Sequence, residues 1–257
     1  MQVETEGIVF RQLPILGGKR MMLLFTREFG KISAGTSMPQ SGGKGKAGLA
    51  LRPFVLGKYR LNTKGEYYYL NGAETLESHF SLGENVDKFL CASYVMELTE
   101  KLLPENQPAP EIFDLLQQFL DALERRNRKF DILAVAYQCK LLQLSGSGPE
   151  LFTCVRCGTA AEEGFFAVKE GGLLCNSCIS AEERKEHLHL GKKFDIIGML
   201  KYLTYAPMVK LEKMDAAEEA LELLRKVLES YFSYHLDIRD LKSGALWDSG
   251  KSSVQQL

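Results

Sequence analysis

Nowhere does this 257-residue chain approach the run of roughly 20 apolar residues that a membrane-spanning helix needs. Its opening, MQVETEGIVF, has no basic segment followed by an apolar core, so no secretory signal and a cytoplasmic setting are expected. Signatures of nucleotide hydrolysis are missing as well. SGGKGKAG has glycines and lysines without the spacing of a phosphate-binding loop, and no GxGxxG leads from a strand into a helix. The paired HxE and PCxxC of a zinc-dependent nucleic-acid deaminase are absent. Histidine is scarce, four in all: His79 and His235 stand alone, and His187 and His189, in EERKEHLHL, read as solvated. Acidic pairs such as Glu162-Glu163, Glu182-Glu183 and Glu218-Glu219 are sequence neighbours and suit a solvated face, not a general acid and base. No catalytic activity is expected.

Cysteine is sparse but concentrated. Four of the six lie in FTCVRCGTAAEEGFFAVKEGGLLCNSCIS as two CxxC pairs, Cys154 with Cys157 and Cys175 with Cys178. In a reducing compartment such pairs bind metal or do redox chemistry more often than they form structural disulfides. A redox dithiol wants one CxxC opening a helix in a βαβ setting, which is not visible here. Two tight turns joined by a short spacer instead match a tetrahedral zinc site. Four thiolates saturate the ion and leave no position for water, so one structural Zn2+ per chain is expected. Cys91 and Cys139 fall in helical patterns and read as small packed hydrophobes.

The net charge of -1 conceals an asymmetry. Residues 1–80 carry 11 Lys and Arg against 6 Asp and Glu, whereas the remainder carries 21 against 27. A basic front suggests an anionic partner, most simply nucleic acid. From Val3 to about Glu74, five short β-branched or aromatic segments are broken by glycine: VETEGIVF, KRMMLLFT, GKISAGT, LALRPFVLGKYRL and EYYYLNGAE. RLNTKGEYYYL has turn chemistry for a hairpin between the last two. In FVLGKYRL, Val55, Gly57, Tyr59 and Leu61 alternate with Leu56, Lys58 and Arg60, as in a strand with one face toward a core. Five such strands without intervening long helices predict a small barrel of the OB type over residues 1–80. Along it, Arg11, Lys19, Arg20, Arg27, Lys31, Lys44, Lys46, Arg52 and Lys58 are interleaved with Phe10, Phe25, Phe29, Phe54, Tyr59 and Tyr67 to Tyr69. Cations for phosphates beside aromatic faces for bases is the chemistry of single-strand binding. Those nine basic residues are the candidate nucleic-acid contacts.

After Gly83 the periodicity turns helical. Asn85 caps a predicted helix carrying Val86, Phe89, Leu90, Tyr94 and Leu98, which stops before Pro104. Ile112, Leu115, Leu116, Phe119 and Leu123 make the stripe of a second, and Phe130, Leu133, Tyr137, Leu141 and Leu144 that of a third. KKFDIIGMLKYLTYA reads as a short helix. In the last helix Asp215 and Glu218 resemble a capping box before the stripe Ala217, Ala220, Leu221, Leu224, Val227, Leu228 and Tyr231. The class is therefore α+β: an N-terminal OB barrel, a helical bundle over 81–150 and 181–245, a four-cysteine zinc module over 151–180 inserted in it, and a flexible tail over 246–257.

The ordered set of motifs resembles one family. GIVFRQLPILGGKRMMLLFTREFGKISA, LALRPFVLGKYRL, GEYYYLNGAE, CVRCG, CNSC and YHLDIRDLKS follow the order found in the bacterial RecO family of DNA repair and recombination mediators. Two stretches depart from its pattern: the loop GTSMPQSGGKGKAG, where the family is richer in arginine, and the first turn QLPILGGKR. The resemblance implies binding to single- and double-stranded DNA, annealing of complementary strands, and work with RecR to load RecA on DNA coated by single-strand-binding protein (SSB). It also implies a nucleoid-associated location and a helical-domain site for the acidic, apolar C-terminal tail of SSB. Lys140, Lys192, Lys193, Lys201 and Lys210 are candidates for that site. The alternative reading is a zinc ribbon used as a protein-contact surface in transcription or translation.

Overall fold

The computed structural model describes residues 1–15, 19–38, 46–65, 67–186, 188–189 and 194–244; Lys44 and the segment 246–257 lie outside them. By contact the chain forms two compact units, Met1–Glu124 with the segment from Lys242, and Arg125–Leu241. The helices are thus divided between the units, so that the first two long ones belong with the strands.

In the first unit, β1 (Gln2–Pro14), β2 (Arg20–Thr26), β3 (Gly30–Thr36), β4 (Val55–Lys64) and β5 (Tyr67–Ser78) form a barrel in the order β1-β2-β3-β5-β4, with α1 (Lys46–Ala50) between β3 and β4. β4 returns to β1, Gly7 opposite Gly57, and this pairing closes the ring. The seam between β3 and β5 is the slightest, a parallel match of Ala34 to Tyr68 and Gly35 to Tyr69. Five strands, one long β1 shared between two neighbours, and a parallel β3–β5 closure make the OB topology that the segment pattern predicted. The expected hairpin is present, with Lys64 opposite Tyr67.

Val9, Met22, Leu24, Ile32, Ala34, Leu51, Tyr59, Leu61 and Leu70 fill the barrel. Tyr59 is fully buried and its hydroxyl donates to the Ala50 carbonyl at 2.6 Å. Its ring needs a gap in the wall: a Cβ on Gly57 would lie 2.9 Å from its Cζ and Oη. Against this barrel, α2 (Val86–Leu102) and α3 (Pro110–Arg125) complete the unit. Phe25 meets Phe113 edge to face with centroids 5.2 Å apart, and Phe54 meets Phe89 at 5.6 Å. Asn85 caps α2 as expected, its side chain accepting from the Lys88 amide at 3.0 Å. The predicted stripe of α2 needs correction: Val86 and Phe89 are exposed, while Lys88, Cys91, Ala92, Val95, Met96 and Thr99 are buried. For α3 all five predicted positions are buried.

The second unit holds α4 (Asp131–Leu144), the hairpin β6 (Phe165–Ala167) and β7 (Gly172–Leu174), α5 (Glu183–Glu186), β8 (Leu188–His189), α6 (Ile196–Tyr205), α7 (Met208–Leu211) and α8 (Glu218–Leu236). α4 is buried on nearly every side, the expected Leu144 excepted. Its neighbours are α6, α7 and α8. The capping box at Asp215 does not form. Asp215 is instead held by Lys129 at 2.6 Å and by the Ala216 amide, and α8 begins at Glu218 after an extended Ala217.

Candidate metal centre and nucleic-acid face

The four sulfurs of Cys154, Cys157, Cys175 and Cys178 come within 4.8 Å of one another. Each CxxC makes a tight turn: the Gly158 amide reaches back to the Cys154 carbonyl at 2.8 Å, the Cys178 amide to the Cys175 carbonyl at 3.1 Å. Gly158 takes φ +70°, a conformation glycine adopts without the strain of a side chain, just past the first pair. Between the turns, β6 and β7 pair Phe165 with Leu174, and Phe165, Ala167, Leu174 and Ile179 pack with Cys154 as a small core. Arg156 braces the rim, 2.5 Å from Glu170, 2.6 Å from Glu183 and 2.9 Å from the Cys178 carbonyl.

This donor set fits zinc on three counts. Bonds of about 2.3 Å at tetrahedral angles put neighbouring sulfurs about 3.8 Å apart, and Sγ of Cys157 lies 3.8 Å from Sγ of Cys175. The Cys175 amide donates to Sγ of Cys154 at 3.4 Å, a bond that favours thiolate over thiol. Burial opposes ionisation of Cys154, but the amides of Cys175, Cys157 and Arg156 outweigh it and bring the thiol down to about 6. Cys178, hydrogen-bonded to Cys157 and Cys175 beside it, is pushed up to about 12. Cys175 is shifted down as well, so a cluster that ionises readily at two thiols and reluctantly at Cys178 is short of positive charge, which a bound dication would supply. His187 lies outside the described residues, as does the side chain of His189.

The basic residues of the barrel are placed less uniformly than their types suggested. Arg20 is buried, and its guanidinium donates to Gln12 and to the Met38 carbonyl. Arg27 is held by Asp114, with Glu6 at 3.5 Å and Gln117 at 3.3 Å, and lies 5.1 Å above the Phe113 ring. Arg11 meets Glu100 at 2.8 Å, and Lys31 donates to the Glu100 carbonyl at 2.8 Å. Lys58 pairs with Glu4 at 2.7 Å; that contact raises the pKa of the lysine and lowers that of the glutamate. Lys19 and Arg52 are exposed and make no ion pair among the described residues. Lys46 opens α1, its side chain outside the described residues, and Lys44 falls outside them altogether.

Of the interleaved aromatics, Phe10, Phe25, Phe54 and Tyr59 are buried, whereas Tyr67 and Tyr69 are exposed. Alternation along β4 turns Lys58, Arg60 and Lys64 outward, and the register sets Tyr67 opposite Lys64 and Tyr69 opposite Asn62. One outward face of the β4–β5 hairpin therefore combines three cations with two tyrosines, and Glu74 stands opposite Lys58 on it. Lys64 is absent from the nine candidates, although its place in the hairpin turn NTKGE was the available signal.

In the second unit, Lys140 is turned inward to the carbonyls of Thr204 and Ala206, and Lys192 and Lys193 lie outside the described residues. Lys201 sits 4.7 Å above the exposed Phe152, which meets Tyr205 at 5.8 Å. No helix of the described residues is long and apolar enough to cross a membrane.

Two family models match the chain, and they divide it at the end of the barrel strands and not at the boundary between the two compact units. The family described as Recombination protein O N terminal matches residues 1–79, and the one described as Recombination protein O C terminal matches residues 83–245. Proteins named DNA repair protein RecO are similar along most of their length. That of Alkaliphilus metalliredigens is 29% identical over 92% of this chain and 95% of its own. That of Caldanaerobacter subterraneus is 30% identical over 94% and 95%, and that of Pelotomaculum thermopropionicum 30% over 95% and 93%.

Proposed function

The chain belongs to the RecO family of DNA repair and recombination proteins, and from that premise we propose that it is a strand-annealing recombination mediator. It binds single- and double-stranded DNA, pairs complementary strands, and with RecR helps load RecA on DNA covered by SSB. The observation that carries the reading is the outward β4–β5 face, where Lys58, Arg60 and Lys64 accompany exposed Tyr67 and Tyr69. Cations on two backbones lower the repulsion between strands, and tyrosines hold bases unpaired until a complement arrives. No covalent bond is broken in this scheme. The four cysteines hold a structural Zn2+, and the protein works in the cytoplasm on the nucleoid.

For the SSB tail, the surface we favour is Lys201 with Phe152 and Tyr205, since a carboxylate and an aromatic anchor suit an ammonium beside exposed rings. The central test is the rate at which purified protein pairs two labelled complementary strands, bare and then SSB-coated, without nucleotide or added divalent ion. Acceleration that fades with salt supports the reading. If about six phosphates are contacted, log affinity for a single strand falls with log salt at a slope near about -4. No acceleration on either substrate would move the function to the zinc hairpin as a protein-contact surface.

A further inference from the structure

His79 looks isolated in the sequence, yet it is only 3% exposed. It follows the last residue of β5, and in the first unit it faces α3. Its Nδ1 lies 2.8 Å from Oε2 of Glu124, whose other oxygen accepts from Ser81 Oγ. An ionised carboxylate only accepts, so Nδ1 carries the proton and donates. Lys88 fixes the same residue from behind, its Nζ 2.6 Å from the Glu124 carbonyl. The imidazole is thereby oriented, and its other nitrogen points away from Glu124.

Nε2 lies 3.7 Å from Oδ1 of Asp121, too far for a hydrogen bond, and makes none to any described residue. Glu77, two residues before His79, brings a third ligand atom, all three lying within 4.8 Å of one another. A buried ring nitrogen that faces two carboxylates and hydrogen-bonds neither is an arrangement that a cation completes. Two ligands each about 2.0–2.2 Å from one zinc ion are about 3.7 Å apart at an angle of about 115–130°. A histidine whose far nitrogen is committed to a carboxylate is also how proteins hold a metal-binding imidazole in place. Glu77 is exposed and Asp121 half-buried, which gives an ion a way in from solvent.

We propose that Glu77, His79 and Asp121 form a second metal site, distinct from the four cysteines, that takes a divalent first-row transition cation through one imidazole and two carboxylates. The ion joins the end of β5 to α3, and water fills its remaining positions. Mixed nitrogen and oxygen ligands suit Zn2+ and Mn2+, whereas the thiolate site prefers Zn2+.

The test uses full-length protein carrying one equivalent of Zn2+, titrated with Mn2+ and, separately, with further Zn2+, followed by calorimetry and by thermal melting. The expected result is one additional saturable site and a higher melting temperature in excess Mn2+. Asp121→Asn and Glu77→Gln weaken that site at least tenfold while the first equivalent of zinc stays bound. Both changes lie outside the buried core, so they do not depend on the tolerance of the fold for loss of His79. Cys175→Ser reverses the pattern, losing the tight zinc and keeping the Mn2+ response. A wild-type protein with no saturable binding beyond one zinc overturns the proposal, as does an additional site that survives in the Asp121→Asn/Glu77→Gln double variant.

Discussion

Replacing Glu4 by Gln should make the protein bind single-stranded DNA more tightly. Glu4 on β1 holds Lys58 on β4 at 2.7 Å, and Arg60 acts on the same carboxylate from nearby. A phosphate that approaches this face must displace Glu4, so Lys58 enters DNA binding already occupied. With Gln at position 4 the lysine loses its 2.7 Å partner and keeps only the weaker pull of Glu74 and Glu6 across the neighbouring strands. A phosphate contact on a single strand frees about 0.7 of a counterion, so one added contact raises affinity about fivefold at about 0.1 M salt and about twofold at about 0.3 M. The slope of log affinity against log salt should steepen by about 0.7. Both side chains are about half exposed, so thermal melting should not move with the substitution. The assay is fluorescence anisotropy of a labelled oligonucleotide across a salt series, for wild type, Glu4→Gln, Lys58→Ala and the double variant. Lys58→Ala should cancel the gain of Glu4→Gln while costing little in the wild-type background. An unchanged salt slope in Glu4→Gln, or an equal loss from Lys58→Ala in both backgrounds, would refute the reasoning.

Three further outcomes follow from the same geometry. Cys175→Ser, or chelation of the metal, should lower the melting of the Arg125–Leu241 unit and leave that of the barrel unit in place, visible as a split transition by calorimetry. Tyr59→Phe removes the donor to the buried Ala50 carbonyl and should cost about 1–3 kcal/mol in urea unfolding, without altering the charge of the DNA face. Burial raises the pKa of Glu97, but the Ser243 hydroxyl and the amides of Ser243 and Lys242 outweigh it and hold the carboxyl below its usual range. A depressed carboxyl stabilises above its unfolded pKa of about 4.3, and the contribution is lost as pH falls through the folded value. Protection of the Ser243 amide, taken relative to its intrinsic exchange rate, should therefore fall as pH drops below the usual carboxylate range, and Glu97→Ala should show the reduced protection already at neutral pH.

What the sequence made legible depended on how one-sided each element is. β4 alternates cleanly, and α3 buries one stripe and wets the other, so their inward residues could be assigned from spacing alone. α2 and α4 are buried almost all round, so apolar positions do not mark a face. Val86 and Phe89 fit the helical spacing of a core stripe yet are exposed, while Lys88 is covered. The four-cysteine cluster was plain because its chemistry is local, two pairs of residues separated by a hairpin. The box at Asp215 failed because a lysine 86 residues away competes for the carboxylate. His79 was invisible for a related reason: Asp121 and Glu124, which give it meaning, lie more than 40 residues further on.

The same dependence on distant partners governs the basic face. Residue type alone marked Arg11, Arg20, Arg27, Lys31 and Lys58 as DNA contacts, but the fold gives each an internal acceptor. Arg20 and Arg27 are the most firmly committed, the first buried and the second held by Asp114 over an aromatic ring, and their loss should damage the fold before it damages binding. Lys58 and Arg11 are half-exposed, so a phosphate can displace their glutamates without disturbing the fold. A protein that must hold a strand and then surrender it to a complement gains from such exchange, because every phosphate released is replaced by a carboxylate already within reach. Free cations at every position would bind DNA more tightly and let it go more slowly, so the Glu4→Gln variant that binds better should also pair complementary strands more slowly once they are bound in excess protein.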